Sequence, residues 1–185
     1  MDQPLPIGFN ATISAPHIHA RVLDIIDKYM DSSFPLKILD IGSGSGYLTV
    51  AIAHLIGSTG KVIGLDHIQE LVDFANRNTS KNFDHYIKEG RVSFICADGR
   101  TGYTPEAPYD FITVGAQCDE IPIDLLNQLK VGGIMIIPVG FPVTYFKIVK
   151  KVNNYGDIVN LEDQAIVAFV PLTDKEKQLK MKILN

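Results

Sequence analysis

Apolar residues along this chain fall into two rhythms. Runs such as Lys37-Ile38-Leu39-Asp40-Ile41, Lys61-Val62-Ile63-Gly64-Leu65-Asp66, Arg91-Val92-Ser93-Phe94-Ile95-Cys96-Ala97 and Tyr109-Asp110-Phe111-Ile112-Thr113-Val114-Gly115 are short and densely apolar, as expected of strands buried in a sheet. Amphipathic stretches separate them. From Pro16, which suits the first turn of a helix, Ile18, Val22, Ile25, Ile26 and Tyr29 share one face while His17, Arg21, Asp24 and Lys28 share the other. Further helices are expected over residues 47–56, 68–78 and 123–129, the last stopped by Gly132-Gly133. Residues 134–139 make a fifth strand. Residues 145–152 and 165–170 are expected to form an antiparallel end of the sheet, with residues 153–157 as the turn between them. The first dozen residues, with Pro4, Pro6 and Gly8, predict an irregular lead-in, and Thr173-x-x-Glu176 predicts a capping box that starts a terminal helix at Thr173. Strands alternating with helices give an α/β fold, a doubly wound and mostly parallel sheet.

Composition narrows the class. The 185 residues are 46% hydrophobic and 21% charged, as expected of one soluble domain spanning residues 1–185. A net charge of −4 without a basic run disfavours a nucleic-acid partner. The only cysteines are Cys96, in a strand expected to be buried, and Cys118; neither disulfide framework nor metal spacing is present, so no metal is expected. The most apolar stretch, residues 134–139, is short and interrupted by Pro138, so no membrane span or signal peptide is expected. A monomer in the reducing cytoplasm follows as the default.

The candidate chemistry begins after the first buried strand, at Asp40-Ile41-Gly42-Ser43-Gly44-Ser45-Gly46-Tyr47. Alternating glycines let the backbone turn sharply and approach a ligand, and the helix that follows points unpaired N–H groups at it. The dinucleotide fingerprint needs a third glycine where Tyr47 stands. D-x-G-x-G-x-G looks instead like the first motif of methyltransferases that use S-adenosylmethionine. Asp66 and Asp98 close the next two strands, and ligands of such sheets sit beyond strand carboxyl ends, so Asp40, Asp66 and Asp98 are expected to converge on one crevice.

Longer runs are more specific. Gly8-Phe9-Asn10-Ala11-Thr12-Ile13-Ser14-Ala15-Pro16-His17-Ile18-His19, Val62-Ile63-Gly64-Leu65-Asp66-His67, Asp98-Gly99-Arg100-x-Gly102-Tyr103 and Val170-Pro171-Leu172-Thr173-Asp174-Lys175-Glu176-Lys177-Gln178 resemble motifs of the protein-L-isoaspartate (D-aspartate) O-methyltransferases, in a eukaryotic-like form. The resemblance covers nearly the whole chain. It implies a Rossmann-like class I methyltransferase that uses S-adenosyl-L-methionine, yields S-adenosyl-L-homocysteine, and methylates isoaspartyl and D-aspartyl carboxylates of damaged proteins or peptides to initiate repair. By the same resemblance Ser14 takes the active-site serine position. Ala11, Thr12, Ile13, Ser14, His19, Gly42, Gly44, Ser45, Asp66, His67, Asp98, Gly99, Thr173 and Gln178 match cofactor-contacting positions. The family carries a helical segment ahead of its Ile-Gly-Phe motif, whereas this chain begins close to that motif; reduced activity and a less covered cleft are the expectation.

Individual roles follow from the chemistry. Asp66 is expected to accept from the ribose hydroxyls and Asp98 from the adenine amino group, with Gly99 allowing close approach. Ser45 and the start of the helix at Tyr47 suit the methionine carboxylate. Ser14 is expected to orient a substrate carboxylate, against the alternative of a cap or turn serine. His54, His85, Tyr103 and Tyr109 are read as solvated or packing residues. Rival readings are a methyltransferase acting on a small molecule or RNA, a non-enzymatic S-adenosylmethionine-binding protein, and an NAD-dependent oxidoreductase.

Overall fold

The computed structural model describes residues 2–162 and 165–181. In chain order its elements are β1 (Leu5–Gly8), β2 (Ala11–Ile13), α1 (Pro16–Tyr29), β3 (Lys37–Ile41), α2 (Tyr47–Leu55), β4 (Lys61–Asp66), α3 (Gln69–Asn82), α4 (Asp84–Lys88), β5 (Val92–Cys96), β6 (Tyr109–Val114), α5 (Ile123–Gln128), β7 (Leu129–Val139), β8 (Thr144–Lys151), β9 (Ile158–Asn160), β10 (Ala165–Val167) and α6 (Lys175–Lys180). The main sheet runs β10-β8-β7-β6-β3-β4-β5, with β9 also on β8. β5, β4, β3, β6 and β7 are parallel, and β8, β9 and β10 form the expected antiparallel end.

Side-chain alternation builds a core on each face of the sheet. Ile38 of β3, Val62 of β4 and Phe111 of β6 pack with Val22, Ile25 and Ile26 of α1 and Val50 and Ile52 of α2. Leu39, Ile63 and Ile112, one position along, pack on the other face with Leu125 and Leu126 of α5. A strand buried on both faces cannot alternate with polar residues, which is why these segments read as apolar runs.

The ends of the chain differ from expectation. Residues 5–13 form a hairpin, Leu5 opposite Ile13, instead of an irregular lead-in. Its turn uses Phe9 and Asn10 at φ 53 and 55, and Pro6 is tolerated because the ribbon has free edges. The turn at residues 153–157 leads to β9, while β10 pairs with the first half of β8 and ends at Val167; Val170 leaves the sheet and accepts from the Gln117 N–H. β7 starts at Leu129, so Gly132-Gly133 lie within a strand and not past a helix end. The third helix extends to Asn82, and α4 follows. Cys96 is exposed, because it is the last residue of β5. Asp174, not Thr173, caps α6: its carboxylate accepts from the Lys177 N–H at 2.8 Å, while Thr173 is buried.

Candidate active site

Strand order reverses between β3 and β6, and there the carboxyl ends of the strands open a cleft. The Gly115 N–H donates to the Ile41 carbonyl at 2.8 Å, and the Gly42 and Ser43 N–H groups donate to the Leu65 carbonyl at 2.8 and 2.9 Å, so the glycine loop is stitched across three strand ends. Gly46, at φ 80, is the N-cap of α2, where a Cβ would stand 2.9 Å from the Phe94 ring and 3.0 Å from Ala75 Cβ. A Cβ on Gly99 would stand 2.4 Å from Ile41 Cγ2, so Gly99 lets the backbone after β5 close on the cleft floor.

Nine residues expected at the site line this cleft: Ala11, Thr12, Gly42, Gly44, Asp66, His67, Gly99, Thr173 and Gln178. They arrive from the hairpin, three strand ends and the tail. Asp66 is nearly buried; one carboxylate oxygen accepts from the Gly44 N–H at 3.3 Å and the other from the Ile68 N–H at 3.0 Å. Burial is the main cause pushing its carboxyl above the usual range, and these backbone donors work against it. His67 Nε2 lies 2.7 Å from Gln178 Oε1, which ties the tail to the rim beyond β4. The tail also exchanges backbone bonds with Gln117, whose carbonyl accepts from the Leu172 N–H at 2.7 Å.

The other expected residues lie around the cleft and do not line it. Ile13 and Ser45 line a neighbouring groove of about 650 Å³ with Leu23, Val50, Leu55 and Phe83. That groove is the larger cavity, but its lining is mostly apolar, and the convergent polar groups belong to the smaller cleft. Ser14 is half-buried between β2 and α1; Ala15 holds the N-cap of α1 and no side chain caps the helix, so the Ser14 hydroxyl is not spent as a cap. His19 packs on Tyr47 with ring centroids 5.0 Å apart, and both ring nitrogens are buried without a well-formed partner among the described residues. Burial pushes its pKa down, and the nearby Ser14 backbone opposes this. Asp98 turns to Arg100, whose Nε and terminal nitrogen approach its oxygens at 3.0 and 2.6 Å; that pairing lowers its pKa.

Asp40 is the clearest correction among the three acids. The alternation that puts Leu39 and Ile41 on one face puts Asp40 on the other, under α2, where it accepts from the Thr49 hydroxyl at 2.6 Å. It is a buried strut beneath the loop. Burial first, and the charge of Asp66 further, raise its pKa to about 6, while Thr49 acts in the opposite sense. The folded-state pKa therefore exceeds the unfolded one. Native Asp40 keeps its proton between about pH 4 and 6, where the unfolded chain has lost it, so this group reduces stability as pH rises through that window. Asp40→Asn, whose amide oxygen can still accept from Thr49, is expected to gain roughly 1–3 kcal/mol at pH 8 and little at pH 4. Thermal melts at both pH values check this, and an equal or larger gain at pH 4 would contradict it.

Gly115, Ala116 and Val170, to which the sequence assigned no site role, also line the cleft. The end of β6 at the switch point is the signal that marks the first two; Val170 opens the tail run through Gln178, and that run is its signal.

A glycine loop stitched at the switch point, with an acid at the end of the next strand and an antiparallel end to an otherwise parallel sheet, gives the chain the class I methyltransferase fold. The fold is shared with a solved precorrin-6y C5,15-methyltransferase of Geobacter metallireducens, at a TM-score of 0.54 and 18% identity over 69% of this chain and 64% of that one. The chain belongs to the protein-L-isoaspartate(D-aspartate) O-methyltransferase (PCMT) family, whose model matches residues 1–177. It is 44% identical over 181 residues to protein-L-isoaspartate O-methyltransferase 2 of Arabidopsis thaliana, covering 97% of this chain but 57% of that protein. It is likewise 44% identical over 181 residues to the Triticum aestivum protein-L-isoaspartate O-methyltransferase, covering 76% of it. A crystal structure of a Plasmodium falciparum member in complex with S-adenosyl-L-homocysteine superposes with a TM-score of 0.82 at 30% identity, over 94% of this chain and 81% of that one.

Proposed function

We propose that this chain methylates the free carboxylate of L-isoaspartyl and D-aspartyl residues in damaged proteins, the step that initiates their repair. The observation that carries this reading is the convergence of the Ala11–Thr12 run, the glycine loop, Asp66 and the tail on one cleft, in a chain of this family. The cleft suits S-adenosylmethionine: Gly42, Gly44, Gly99 and Gly115 admit a ligand close to the backbone, Asp66 offers acceptor capacity for ribose hydroxyls, and Ile41, Leu65, Ala116 and Leu172 offer apolar surface. When bound, that cofactor supplies an electrophilic methyl group on a sulfonium.

The residues have little acid–base work to do. A substrate carboxylate with a pKa near ~4 is ionised at neutral pH, so no protein base has to remove a proton. Alignment and exclusion of water remain. Ser14 donates a hydrogen bond to the substrate carboxylate, and His19, kept neutral by burial beside it, packs on Tyr47 without adding a charge. Thr12, in β2, and Thr173, in the tail, both line the cleft. Partners are proteins or peptides carrying isoaspartyl residues, met by a monomer in the cytoplasm; two free cysteines are in keeping with a reducing compartment. Incubation with radiolabelled S-adenosylmethionine and paired peptides tests the proposal. Label is expected on the isoaspartyl peptide and not on its L-aspartyl twin; equal labelling would remove the repair function.

A further inference from the structure

Two segments that contribute to the cleft lining also touch each other in a way the site assignments leave unexplained. The β1–β2 hairpin turns through Phe9 and Asn10, and the Asn10 side-chain amide reaches the last turn of α6, 168 positions away. Its Nδ2 donates to the carbonyls of Gln178 at 2.9 Å and Met181 at 2.6 Å, with the Leu179 carbonyl at 3.4 Å. Carbonyls in the last turn of a helix have acceptor capacity left to fill, and a side-chain amide has two N–H groups to offer them. The contact is reciprocated: Gln178 Nε2 donates to the Phe9 carbonyl at 3.1 Å, while its Oε1 is held by His67. Hairpin tip, tail helix and strand-end rim are joined by one run of polar contacts.

The space below is small. The cleft encloses about 70 Å³, whereas sites for ligands of drug or cofactor size occupy ~300–1,000 Å³. Seating a nucleoside-bearing molecule therefore calls for the cleft to widen at its rim. The parts of the rim most easily moved are the two-stranded ribbon and α6, a helix of 6 residues with none of them buried. Elements with little buried apolar surface open at low cost, so the polar contacts between them set how often they separate.

We propose that Asn10 is a positioning residue for cofactor exchange: it latches the hairpin to the end of α6, sets Gln178 and His67 across the cleft, and thereby governs how fast S-adenosylmethionine enters and S-adenosylhomocysteine leaves. The residue type fits both demands. Asparagine is among the residues that most readily adopt the left-handed turn conformation, and its amide carries the donors that the carbonyls need. Glycine keeps the turn and removes the donors. Aspartate keeps the shape and sets a carboxylate against carbonyl oxygens.

The inference rests on the cofactor reading of the cleft, and the test separates the two. S-adenosylhomocysteine binding is followed by stopped-flow for the wild-type chain, Asn10→Gly and Asn10→Asp, alongside hydrogen exchange of the ligand-free proteins. Both variants are expected to release S-adenosylhomocysteine about tenfold faster, the scale of one to two neutral hydrogen bonds, and also to bind it faster. A merely structural role would weaken binding without accelerating association. The Gln178 and Met181 amides are expected to lose protection while β3 and β4 keep theirs. Wild-type rate constants in both variants, or slower association, would overturn the latch and leave the cofactor reading standing. A wild-type chain that binds no S-adenosylhomocysteine would overturn both.

Discussion

Asp66→Ala is expected to weaken S-adenosylhomocysteine binding by roughly 30- to 1,000-fold, about 2–4 kcal/mol, and to lower the thermal midpoint. The side chain has two tasks. It holds the Gly44 and Ile68 N–H groups, so it joins the glycine loop to the start of α3. Truncation strands both donors in a buried place, at about 1–3 kcal/mol each when no water replaces the carboxylate. It also removes the acceptor proposed for the ribose hydroxyls. Asp66→Asn separates these tasks, because its amide oxygen can satisfy one backbone donor while its NH₂ faces the other. An intermediate loss of affinity is expected for it. Calorimetric titration reads the affinities and circular dichroism the folded fraction; wild-type affinity in a folded Asp66→Ala chain would reduce Asp66 to a turn residue.

The second large effect is on turnover. Ser14→Ala is expected to slow methylation of an isoaspartyl peptide by about 100-fold, with S-adenosylhomocysteine affinity changed less than about twofold and the thermal midpoint unmoved. The fold-change follows from alignment, since a displacement of ~1 Å at the reacting atoms can cost on the order of 100-fold. Stability should be indifferent because Ala15, not Ser14, stands at the N-cap of α1. The same geometry explains why isoaspartyl and aspartyl peptides should differ. Their carboxylates have nearly equal nucleophilicity, but the isopeptide adds a backbone methylene and shortens the side chain by one, so a cleft that aligns one misplaces the other by about a bond length. Single-turnover rates with each peptide test both statements. Full turnover in the Ser14→Ala enzyme would leave that serine as an ordinary loop residue.

Much of the cleft was legible because strand ends and glycines carry it. Gly42, Gly44, Asp66 and Gly99 sit where short apolar runs stop, and a parallel sheet gathers such stops on one side. Asp40 shows where that logic fails. It lies inside β3, not at its end, and the period of two turns its side chain under α2 to Thr49. Asp98 stands two residues past the end of β5, where its carboxylate pairs with Arg100, and it is not among the residues that line the cleft. Thr173 carried a genuine capping pattern, yet Asp174 one residue later makes the cap, which leaves Thr173 to face inward. Local motifs with two candidate residues are resolved by which side chain the tertiary structure buries.

Hydrophobic rhythm alone determined the class of fold, the five parallel strands and α1, because period and apolar content are local properties that burial on two faces rewards directly. It also located the glycine loop and the acid of β4, since a loop that meets a ligand needs bare backbone whatever surrounds it. What only the tertiary structure decided involves residues far apart in sequence: the hairpin at residues 5–13, the division of the β8 edge between β9 and β10, and the meeting of Asn10 and His67 with Gln178. These contacts depend on where the sheet delivers its two ends, and no pattern within a window of neighbouring residues encodes the distance across a folded surface.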